Sequence, residues 1–397
     1  MNKLSDRINS LSESQTIAMA RKSRELIAQG IDIISLSLGE PDFTTPQPIK
    51  DAAKKAIDDN FSYYTHVSGY LELREAIAKK FKRDNNLEYT ADEIVVSTGA
   101  KQSIANVVLS LINPGDEVLI PVPYWVSYLE IIKLAEGKTV LIPASIATNF
   151  KVNAAQIAAA ITPKTRLMIF STPCNPTGTV YTRDELKAIA EVIVQHPDVY
   201  IISDEIYEHI NFVGKHESMA QFDFIKDRVI TVNGASKGFA MTGWRVGYIG
   251  APKWIAQACD KMQGQITSAT CSIAQKAVHK AVELDPSITF PMRDAFKKRR
   301  DIVLEKMNEI PGFKTNLPDG AFYVFPEVSY YFGKKNGTFI VNNGTDLCFY
   351  LLEKAHVAIV PGAAFGDDNH VRFSYAASEE KLIEALKRMK QALSELI

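Results

Sequence analysis

The sequence is poor in cysteine and has no long apolar run. It carries four cysteines in 397 residues, and no two of them form a Cys-x-x-Cys pair. The absence of that pair excludes a zinc ribbon and a thioredoxin motif, so we expect reduced thiols in a cytoplasmic protein. No run approaches the ~18 apolar residues of a transmembrane helix, and the first thirty residues lack the apolar core of a signal peptide. We therefore expect no membrane partner.

An excess of either charge is also lacking. Lysine and arginine number 45 and aspartate and glutamate 46, which leaves a net charge of −1. Such a balance gives no overall field that would attract a nucleic acid. The basic cluster within residues 293–300 has the character of a solvated helix face, so we expect no nucleic-acid partner. The 21 glycines and 18 prolines fall far below the roughly 25–30% of disordered chains.

The middle of the chain alternates between short apolar runs and helical patterns. Several runs are continuously apolar, as in strands that are covered on both faces. A helix is predicted from Thr182, where Thr182 and Glu185 form a capping box. This alternation favours an α/β fold with a mostly parallel sheet, in which ligands bind beyond the carboxyl ends of the strands. The predicted strands are Ile94–Ser97, Val118–Ile120, Thr139–Ile142, Leu167–Phe170, Val199–Ser203, Val229–Val232 and Arg245–Ile249.

From about residue 290 the pattern changes. A charged helix over Pro291–Ile310 and a final helix over Glu379–Leu396 enclose three strand-like runs. Helices that bracket strands suggest a smaller α+β unit. We therefore predict a large domain over residues 46–290, and a small domain formed by residues 1–45 and 291–397. The strand-like runs are Ala321–Phe325, Ala358–Val360 and His370–Ser374.

Common catalytic fingerprints are mostly absent. The chain has no G-x-G-x-x-G dinucleotide motif, no P-loop and no H-E-x-x-H zinc motif, and we expect no metal. One generic motif does match, since residues 234–238 satisfy the G-x-S-x-G elbow that would make Ser236 the nucleophile of a hydrolase. An elbow needs a helix after the serine, and a strand-like pattern follows here. That pattern disfavours the hydrolase.

Two charged residues lie at the ends of predicted strands. Lys237 lies in a loop of small residues, where partial desolvation lowers the pKa of a lysine and makes its amine nucleophilic. Asp204 could pair with the protonated nitrogen of a pyridoxal ring. A solvated loop lysine and a helix-capping aspartate are the alternatives, and each residue taken alone favours its alternative.

Other strand ends add further groups. Gly99 lies in a turn before an apolar helix, and the free N–H groups of such a turn can bind phosphate. Trp125 could stack on a flat ring or belong to the core, and Asn175 adds an amide within a turn sequence. Because the strands belong to one sheet, these groups would meet at its carboxyl edge.

Together these residues resemble fold-type I pyridoxal-phosphate enzymes, specifically class I aminotransferases of the aspartate aminotransferase family. The match runs through nearly the whole chain in order. It resembles the bacterial and plastid branch that acts on aspartate and, in some members, on prephenate. It rests on the segments 39–43 (GEPDF), 63–65 (YYT), 99–102 (GAKQ), 123–128 (PYWVSY), 175–178 (NPTG), 203–207 (SDEIY), 236–237 (SK), 241–247 (MTGWRVG) and 371–375 (VRFSY).

The resemblance implies a pyridoxal 5'-phosphate cofactor and a role for each matching residue. Lys237 would be the Schiff-base lysine and then the general acid and base, Asp204 would keep the ring nitrogen protonated, and Trp125 would stack on the ring. Tyr207 and Asn175 would hydrogen-bond the phenolate oxygen of the ring. The implied phosphate ligands are Gly99, Ala100, Lys101, Arg245 and, from the neighbouring subunit, Tyr64. The implied substrate ligands are Gly39, Trp125, Asn175, Arg372, Lys101 and Thr16.

Two details refine this assignment. In the resembling branch, Lys101 and the threonine of the Ser14-Gln15-Thr16 segment would lie near the distal carboxylate of a dicarboxylic substrate. The chain also departs from the family, which often has serine three residues before the lysine, where this sequence has Gly234. One phosphate hydrogen bond is then missing unless Ser236 replaces it.

The resemblance implies a homodimeric aminotransferase with active sites shared between subunits, whose other partners are small amino and 2-oxo acids. It would transfer the amino group between L-aspartate and 2-oxoglutarate by a ping-pong mechanism. One alternative is an aspartate/glutamate-prephenate aminotransferase, or a bifunctional enzyme. Another is a different fold-type I enzyme, such as a decarboxylase or lyase. A non-catalytic relative would have lost the lysine or the aspartate, and both are present.

Overall fold

The computed structural model describes residues 4–13 and 15–397. Ser14, which begins one segment named above, lies outside the described residues. Fourteen strands lie within these two ranges. They are β1 Ile34–Ser35, β2 Ile94–Ser97, β3 Glu117–Val122, β4 Lys138–Pro143, β5 Thr165–Ser171, β6 Tyr200–Asp204, β7 Val229–Gly234, β8 Gly247–Gly250, β9 Tyr323–Val324, β10 Lys335–Asn336, β11 Phe339–Ile340, β12 Val357–Ala358, β13 Val360–Pro361 and β14 Val371–Ser374.

The same ranges contain thirteen α-helices, and a π-helical turn, Phe81–Asn85, extends the fourth of them. The helices are α1 Asp6–Asn9, α2 Gln15–Ala28, α3 Gln47–Asp58, α4 Leu71–Lys80, α5 Ala100–Leu111, α6 Ser127–Leu134, α7 Ala154–Ala160, α8 Arg183–Ile193, α9 Lys253–Ile266, α10 Ser272–Glu283, α11 Phe290–Asn308, α12 Gly344–Lys354 and α13 Glu379–Ser394. None of the helices within these ranges is long and apolar enough to cross a bilayer.

The central sheet has seven strands in the order β2-β8-β7-β6-β5-β3-β4. Strand β8 pairs antiparallel with both β2 and β7, and the remaining pairs are parallel. Six strands therefore run in one direction and end at one edge of the sheet. The predicted α/β fold with a mostly parallel sheet is confirmed. The capping box at Thr182 is also present, and α8 follows it.

Most predicted strands differ from the structure by one to three residues at an end, and three differ for a clear reason in the backbone or the pairing. Arg245 is not in a strand, because its φ of 56° is left-handed and breaks the extended backbone, so β8 begins two residues later. Ala321 has the same φ, 56°, and only β9 remains of that run. The run Ala358–Val360 divides into β12 and β13, which pair in different sheets.

Short strands bring the two ends of the chain together. Strand β1 pairs in parallel with β12, and β13, β14 and β9 form an antiparallel sheet. Met19 and Ile34 belong to the same buried apolar cluster as Phe296 and Leu386. Two other clusters cover the faces of the central sheet. The division into two domains stays a prediction.

The N-terminal residues also contact the central part of the chain. The Arg7 guanidinium lies 3.3 Å from Glu136, and the Ser12 N–H donates to Glu130 at 2.8 Å. Both carboxylates lie on α6 or directly after it. The segment before α2 is therefore held against the helix that follows Trp125.

The basic cluster on α11 is not one solvated face, contrary to our expectation. Lys298 is exposed and pairs with Glu379, but Arg299 and Arg300 are buried. The Arg299 guanidinium donates two hydrogen bonds to the Asp42 carboxylate, at 2.7 and 3.0 Å. This bidentate pair fastens the segment around Asp42 to α11.

A buried ion pair fastens the chain just after β6. The Lys80 ammonium donates to Glu208 and to the Asn85 amide, and both charged side chains are almost fully buried. Burial alone would raise the pKa of Glu208, but nearby cations, Lys80 first, hold it below its usual range. Removal of one partner from such a pair leaves an uncompensated buried charge.

We predict that Lys80→Met lowers the free energy of unfolding by about 3–5 kcal/mol, measured as a lower urea midpoint. Lys54 and Asp51 form an exposed pair at 3.5 Å, so Lys54→Met should change the midpoint little. The double variant Lys80→Met/Glu208→Gln should recover much of the loss, because no buried charge is left alone. A Lys80→Met protein as stable as Lys54→Met would contradict the prediction.

Candidate active site

A cavity of about 240 Å³ opens at the carboxyl edge of the central sheet. Most of the residues singled out in the sequence line it. They are Thr16, Gly39, Ala100, Lys101, Trp125, Asn175, Asp204, Tyr207, Lys237, Arg245 and Arg372. Gly99 lies directly before this set, as the N-cap of α5. Tyr64 is the exception, since it does not line the cavity and is 98% exposed.

Asp204 is the last residue of β6 and is buried. Its carboxylate accepts a hydrogen bond from the Tyr128 hydroxyl at 2.7 Å and one from the Ile206 N–H at 3.3 Å. Burial raises the pKa of Asp204 to about 6. The chain turns after β6 and does not enter a helix, so the helix-cap alternative is wrong. The carboxylate is placed to accept a hydrogen bond from a cationic N–H group in the cavity.

Lys237 follows β7 in a tight turn. Its ammonium donates to the Gly39 carbonyl at 2.6 Å and lies 5.9 Å from the centroid of the Tyr207 ring. Burial lowers the pKa of Lys237 to about 8. Because a neutral amine is a nucleophile, this lysine is prepared for attack on a carbonyl group near neutral pH.

Tyr207 is paired with a second tyrosine, Tyr323, that the sequence alone did not indicate. The hydroxyls of Tyr207 and Tyr323 lie 2.8 Å apart, and both side chains are buried. Burial raises the pKa of both phenols. Tyr323 also packs against Gly39 so closely that a Cβ there would overlap its hydroxyl.

Arg372 lies on β14, and its side chain is buried. The guanidinium donates to the Asn175 side-chain oxygen at 3.0 Å and to the Ser37 carbonyl at 2.6 Å, and it lies 4.6 Å from the Tyr323 ring centroid. A planar guanidinium whose orientation is fixed by contacts on one side can bind a carboxylate on its other side.

The start of α5 and Arg245 form a positive corner of the cavity. Gly99 has a φ of 86°, and a Cβ there would overlap the Arg245 guanidinium. That guanidinium also donates to the Thr242 carbonyl at 2.8 Å. Free N–H groups at a helix start, next to a fixed cation, can bind a phosphate.

Lys101 and Trp125 meet in the cavity. The Lys101 ammonium lies 5.1 Å from the centroid of the Trp125 ring. Partial burial, and then the charge of Arg245, lowers the pKa of Lys101. Thr16, on α2, lines the same cavity.

Gly234 has no space for a side chain. A Cβ there would lie 2.9 Å from the Gly247 Cα and from the Val246 carbonyl oxygen. The close approach of β7 and β8 therefore accounts for glycine where the family often has serine. Ser236 is buried and lines the cavity. The turn after it contains no α-helix, as we expected when the hydrolase was disfavoured.

Tyr128 and Ser37 are two further residues of the site that the sequence alone did not indicate. Tyr128, near the start of α6, packs edge to face on Trp125 with ring centroids 5.4 Å apart, a contact that no helical spacing predicts because Trp125 precedes the helix. Ser37 acts through its carbonyl, which no side-chain pattern reveals.

The donor set fits pyridoxal phosphate. A positive corner can bind the phosphate, a buried carboxylate can accept from a protonated ring nitrogen, and an amine of lowered pKa can hold the aldehyde carbon. Glycine at position 99 keeps the corner open, since a side chain there would displace the guanidinium.

Comparisons with known proteins agree with this geometry. The model of the family "Aminotransferase class I and II" matches residues 31–389. A Petunia hybrida protein, named bifunctional aspartate aminotransferase and glutamate/aspartate-prephenate aminotransferase, is 47% identical over 98% of this chain and 82% of its own length. A probable aspartate/prephenate aminotransferase from Rickettsia bellii is 46% identical over the full length of both chains.

Solved structures agree as well. The aspartate aminotransferase of Rhizobium meliloti has a TM-score of 0.96 at 40% identity, with 100% of both chains covered. The Thermus thermophilus aspartate aminotransferase with maleate has a TM-score of 0.93 at 39% identity, and the match covers 99% of this chain and 100% of that one.

The lowered pKa of Lys237 predicts its reactivity in the cofactor-free protein. Labelling by an amine-acylating reagent should rise with pH and level off above a midpoint near pH 8, because burial favours the neutral amine. Peptide mass spectrometry would measure the rate, and added pyridoxal phosphate should protect the residue. A rate that still climbs at pH 10, as for a solvated lysine, would refute the assignment.

Proposed function

The chain belongs to the class I and II aminotransferases, and we propose that it transfers the amino group of L-aspartate to 2-oxoglutarate. Enzymes of this family use pyridoxal phosphate, so this protein is a pyridoxal-phosphate-dependent transaminase. The proposal for its substrates rests on one observation. Among the described residues that line the cavity, four side chains are cationic and one is a carboxylate.

These charges divide between cofactor and substrate. Arg245, with the start of α5, is assigned to the phosphate, and Asp204 to the ring nitrogen. Lys237 is assigned to the aldehyde carbon. Two cations, Arg372 and Lys101, then remain for two carboxylates. A dicarboxylic amino acid has that charge pattern, whereas alanine or phenylalanine leaves one cation unpaired.

Arg372 is assigned to the α-carboxylate. Its contacts with Asn175 and Ser37 fix the plane of the guanidinium, so the remaining N–H groups keep one direction. A fixed guanidinium loses little entropy when a carboxylate binds. This clamp orients the bond that must break at the α-carbon.

Lys237 is assigned the proton transfer. When bound, pyridoxal phosphate withdraws electrons from the α-carbon of the substrate. The Lys237 amine, with its pKa of about 8, can take the α-proton and return it, since an acid–base group works best near the operating pH. With the cofactor bound, Asp204 would keep a proton on the ring nitrogen, and the buried hydroxyl of Tyr207 would donate to the ring oxygen.

Prephenate is a second candidate acceptor. The Petunia and Rickettsia relatives carry it in their names, and prephenate also bears two carboxylates. Maleate, the ligand named for the Thermus structure, is a dicarboxylate too. Lys101 can follow carboxylates at different distances, because its charge sits on a flexible chain. The same two cations could therefore serve both acceptors.

We further propose a homodimer in the cytoplasm. Tyr64 is 98% exposed and does not line the cavity of its own chain, as expected of a residue that serves a neighbouring subunit. The four cysteines are unpaired, as is usual in a reducing compartment. A fully active species with the 44.0 kDa mass of one chain in light scattering, or activity confined to another cell fraction, would contradict these proposals.

The two predicted domains, residues 46–290 and residues 1–45 with 291–397, are likewise a proposal. The parallel pair of β1 and β12 and the apolar cluster that joins Met19 to Phe296 support it. Limited proteolysis should first cut near residues 45 and 290. Initial cuts spread within either unit would contradict this division.

An amine-transfer screen tests the proposed activity. Purified holoenzyme should transfer the amine of aspartate and glutamate to oxaloacetate, 2-oxoglutarate or prephenate, and act poorly on alanine and phenylalanine. The formation of each amino acid product would be measured by chromatography. Efficient decarboxylation of aspartate without amine transfer would favour a different fold-type I enzyme.

Substitution of Lys101 tests the dicarboxylate assignment. Hydrogen bonds to charged groups contribute roughly 1.5–3 kcal/mol, so Lys101→Met should lower kcat/KM for aspartate about 10- to 150-fold. The value for alanine should change much less, because alanine has no distal carboxylate. Equal losses for both substrates would show that Lys101 acts through the phosphate or the fold.

A further inference from the structure

The loop of residues 61–70, here called the Tyr64 loop, combines an exposed tip with a buried base. Tyr63 and Tyr64 at the tip are 83% and 98% exposed. The loop contains no helix or strand, so its backbone polar groups need other partners. Side chains of α9 and α10 bind three of these groups, namely the Phe61 and Val67 carbonyls and the Tyr70 N–H.

Gln275, on α10, is the first of these anchors. It is fully buried, and its side-chain oxygen accepts from the Tyr70 N–H at 2.8 Å. Its amide group donates to the Thr65 hydroxyl at 3.1 Å and to the Thr270 carbonyl at 2.9 Å. One amide therefore joins the residue that follows Tyr64, the end of the loop and the segment before α10.

Gln263, on α9, is the second anchor and is also fully buried. Its amide group donates to the Val67 carbonyl at 2.8 Å and to the Val96 carbonyl at 2.9 Å. Its oxygen accepts from the Asn106 amide at 3.0 Å. The middle of the loop is thereby bonded to β2, the strand that leads to the positive corner of the cavity.

The remaining contacts leave the base of the loop little freedom. The Ser272 hydroxyl donates to the Phe61 carbonyl at 2.5 Å. The Lys276 ammonium lies 4.3 and 4.4 Å from the ring centroids of Phe61 and Tyr70. Gly69 has a φ of +97°, and a Cβ there would lie 3.1 Å from the Gln275 oxygen. Every side-chain polar atom of Gln275 and Gln263 has a partner, and buried side chains satisfied in this way make their surroundings rigid.

We propose that Gln275, supported by Gln263, is a positioning residue that sets the reach of Tyr64 toward the cofactor phosphate of the neighbouring subunit. This inference rests on the proposed homodimer and on the role assigned to Tyr64. A tyrosine whose loop is ordered before association loses less conformational entropy on binding. Neither glutamine lines the cavity, so each would act through the loop.

A competing explanation is that Gln275 supports the positive corner of the cavity in its own subunit. Its partner Thr270 accepts a hydrogen bond from the Thr98 hydroxyl and donates to the Arg245 carbonyl, each at 3.3 Å. A defect at Gln275 could therefore reach either the chain's own cavity or the partner's. The test must separate these two directions.

Hybrid dimers make that separation. One subunit carries Lys237 and the other carries Lys237→Ala, so only the first can be fixed to pyridoxal phosphate by borohydride. Gln275→Met is placed on either the lysine-free or the lysine-bearing subunit. After cofactor removal, each hybrid is titrated with pyridoxal phosphate and reduced. Mass spectrometry of the Lys237 peptide then gives the concentration for half-maximal labelling.

The proposal predicts an effect in one arrangement only. With Gln275→Met on the lysine-free subunit, half-maximal labelling should need about tenfold more cofactor, since one hydrogen bond to a charged phosphate is weakened. With the same change on the lysine-bearing subunit, the concentration should stay at that of the unsubstituted hybrid. The proposal would be overturned if this concentration rose in the second arrangement, or if it rose in neither arrangement.

Further variants keep the outcomes distinct. Tyr64→Phe on the lysine-free subunit tests the proposed role of Tyr64 itself. If this change has no effect on labelling, both the role of Tyr64 and the positioning role of Gln275 are contradicted. If Tyr64→Phe has an effect and Gln275→Met has none, only the positioning role of Gln275 is contradicted. Gln275→Glu, which keeps the acceptor for Tyr70, replaces the methionine variant if that fails to fold. Gln156→Met, which loses two backbone contacts far from the loop, should leave labelling unchanged.

Discussion

The burial of the Asp204 carboxylate at the carboxyl edge of the central sheet is the constraint on which the site depends. Strand β6 lies between β5 and β7, and Asp204 at its end is only 5% exposed. The next residue, Glu205, is also buried, and it accepts hydrogen bonds from Ser203 and Ser218 at 2.8 and 2.7 Å. Asp204 and Tyr207 thus line the cavity, while Glu205 and Glu208, which do not line it, are bound by other polar side chains.

Local patterns were enough to predict the sheet and most of the site. Continuous β-branched runs mark strands covered on both faces, and polar residues at their ends converge at one edge. The errors have a physical cause as well. Arg245 and Ala321 adopt left-handed backbone conformations that their residue types do not signal. Nor can a charge cluster show which arginines are buried, because burial of Arg299 depends on the distant Asp42.

Contacts between distant parts of the chain complete the cavity. The Gly39 carbonyl, which accepts from Lys237, belongs to the segment that Asp42 fastens to α11. Thr242 donates to Glu40 of the same segment, and Tyr323 joins it to Tyr207. These pairs are separated by more than a hundred residues, so no local pattern contains them. The relative positions of Lys237, Asp204 and Arg372 in the cavity are therefore fixed only when the chain is folded.

The uneven distribution of charge has a kinetic consequence. The chain as a whole is nearly neutral, yet two cations of the cavity, Arg372 and Lys101, remain for the substrate once Arg245 is assigned to the cofactor phosphate and Lys237 to the aldehyde carbon. A cleft of one sign between apolar walls focuses its potential outward and draws oppositely charged molecules from solution. Dianionic acids would then be captured faster than monoanionic ones before any contact forms, and added salt would reduce this advantage. Selection among amino acids would thus begin in the encounter itself, outside the cavity.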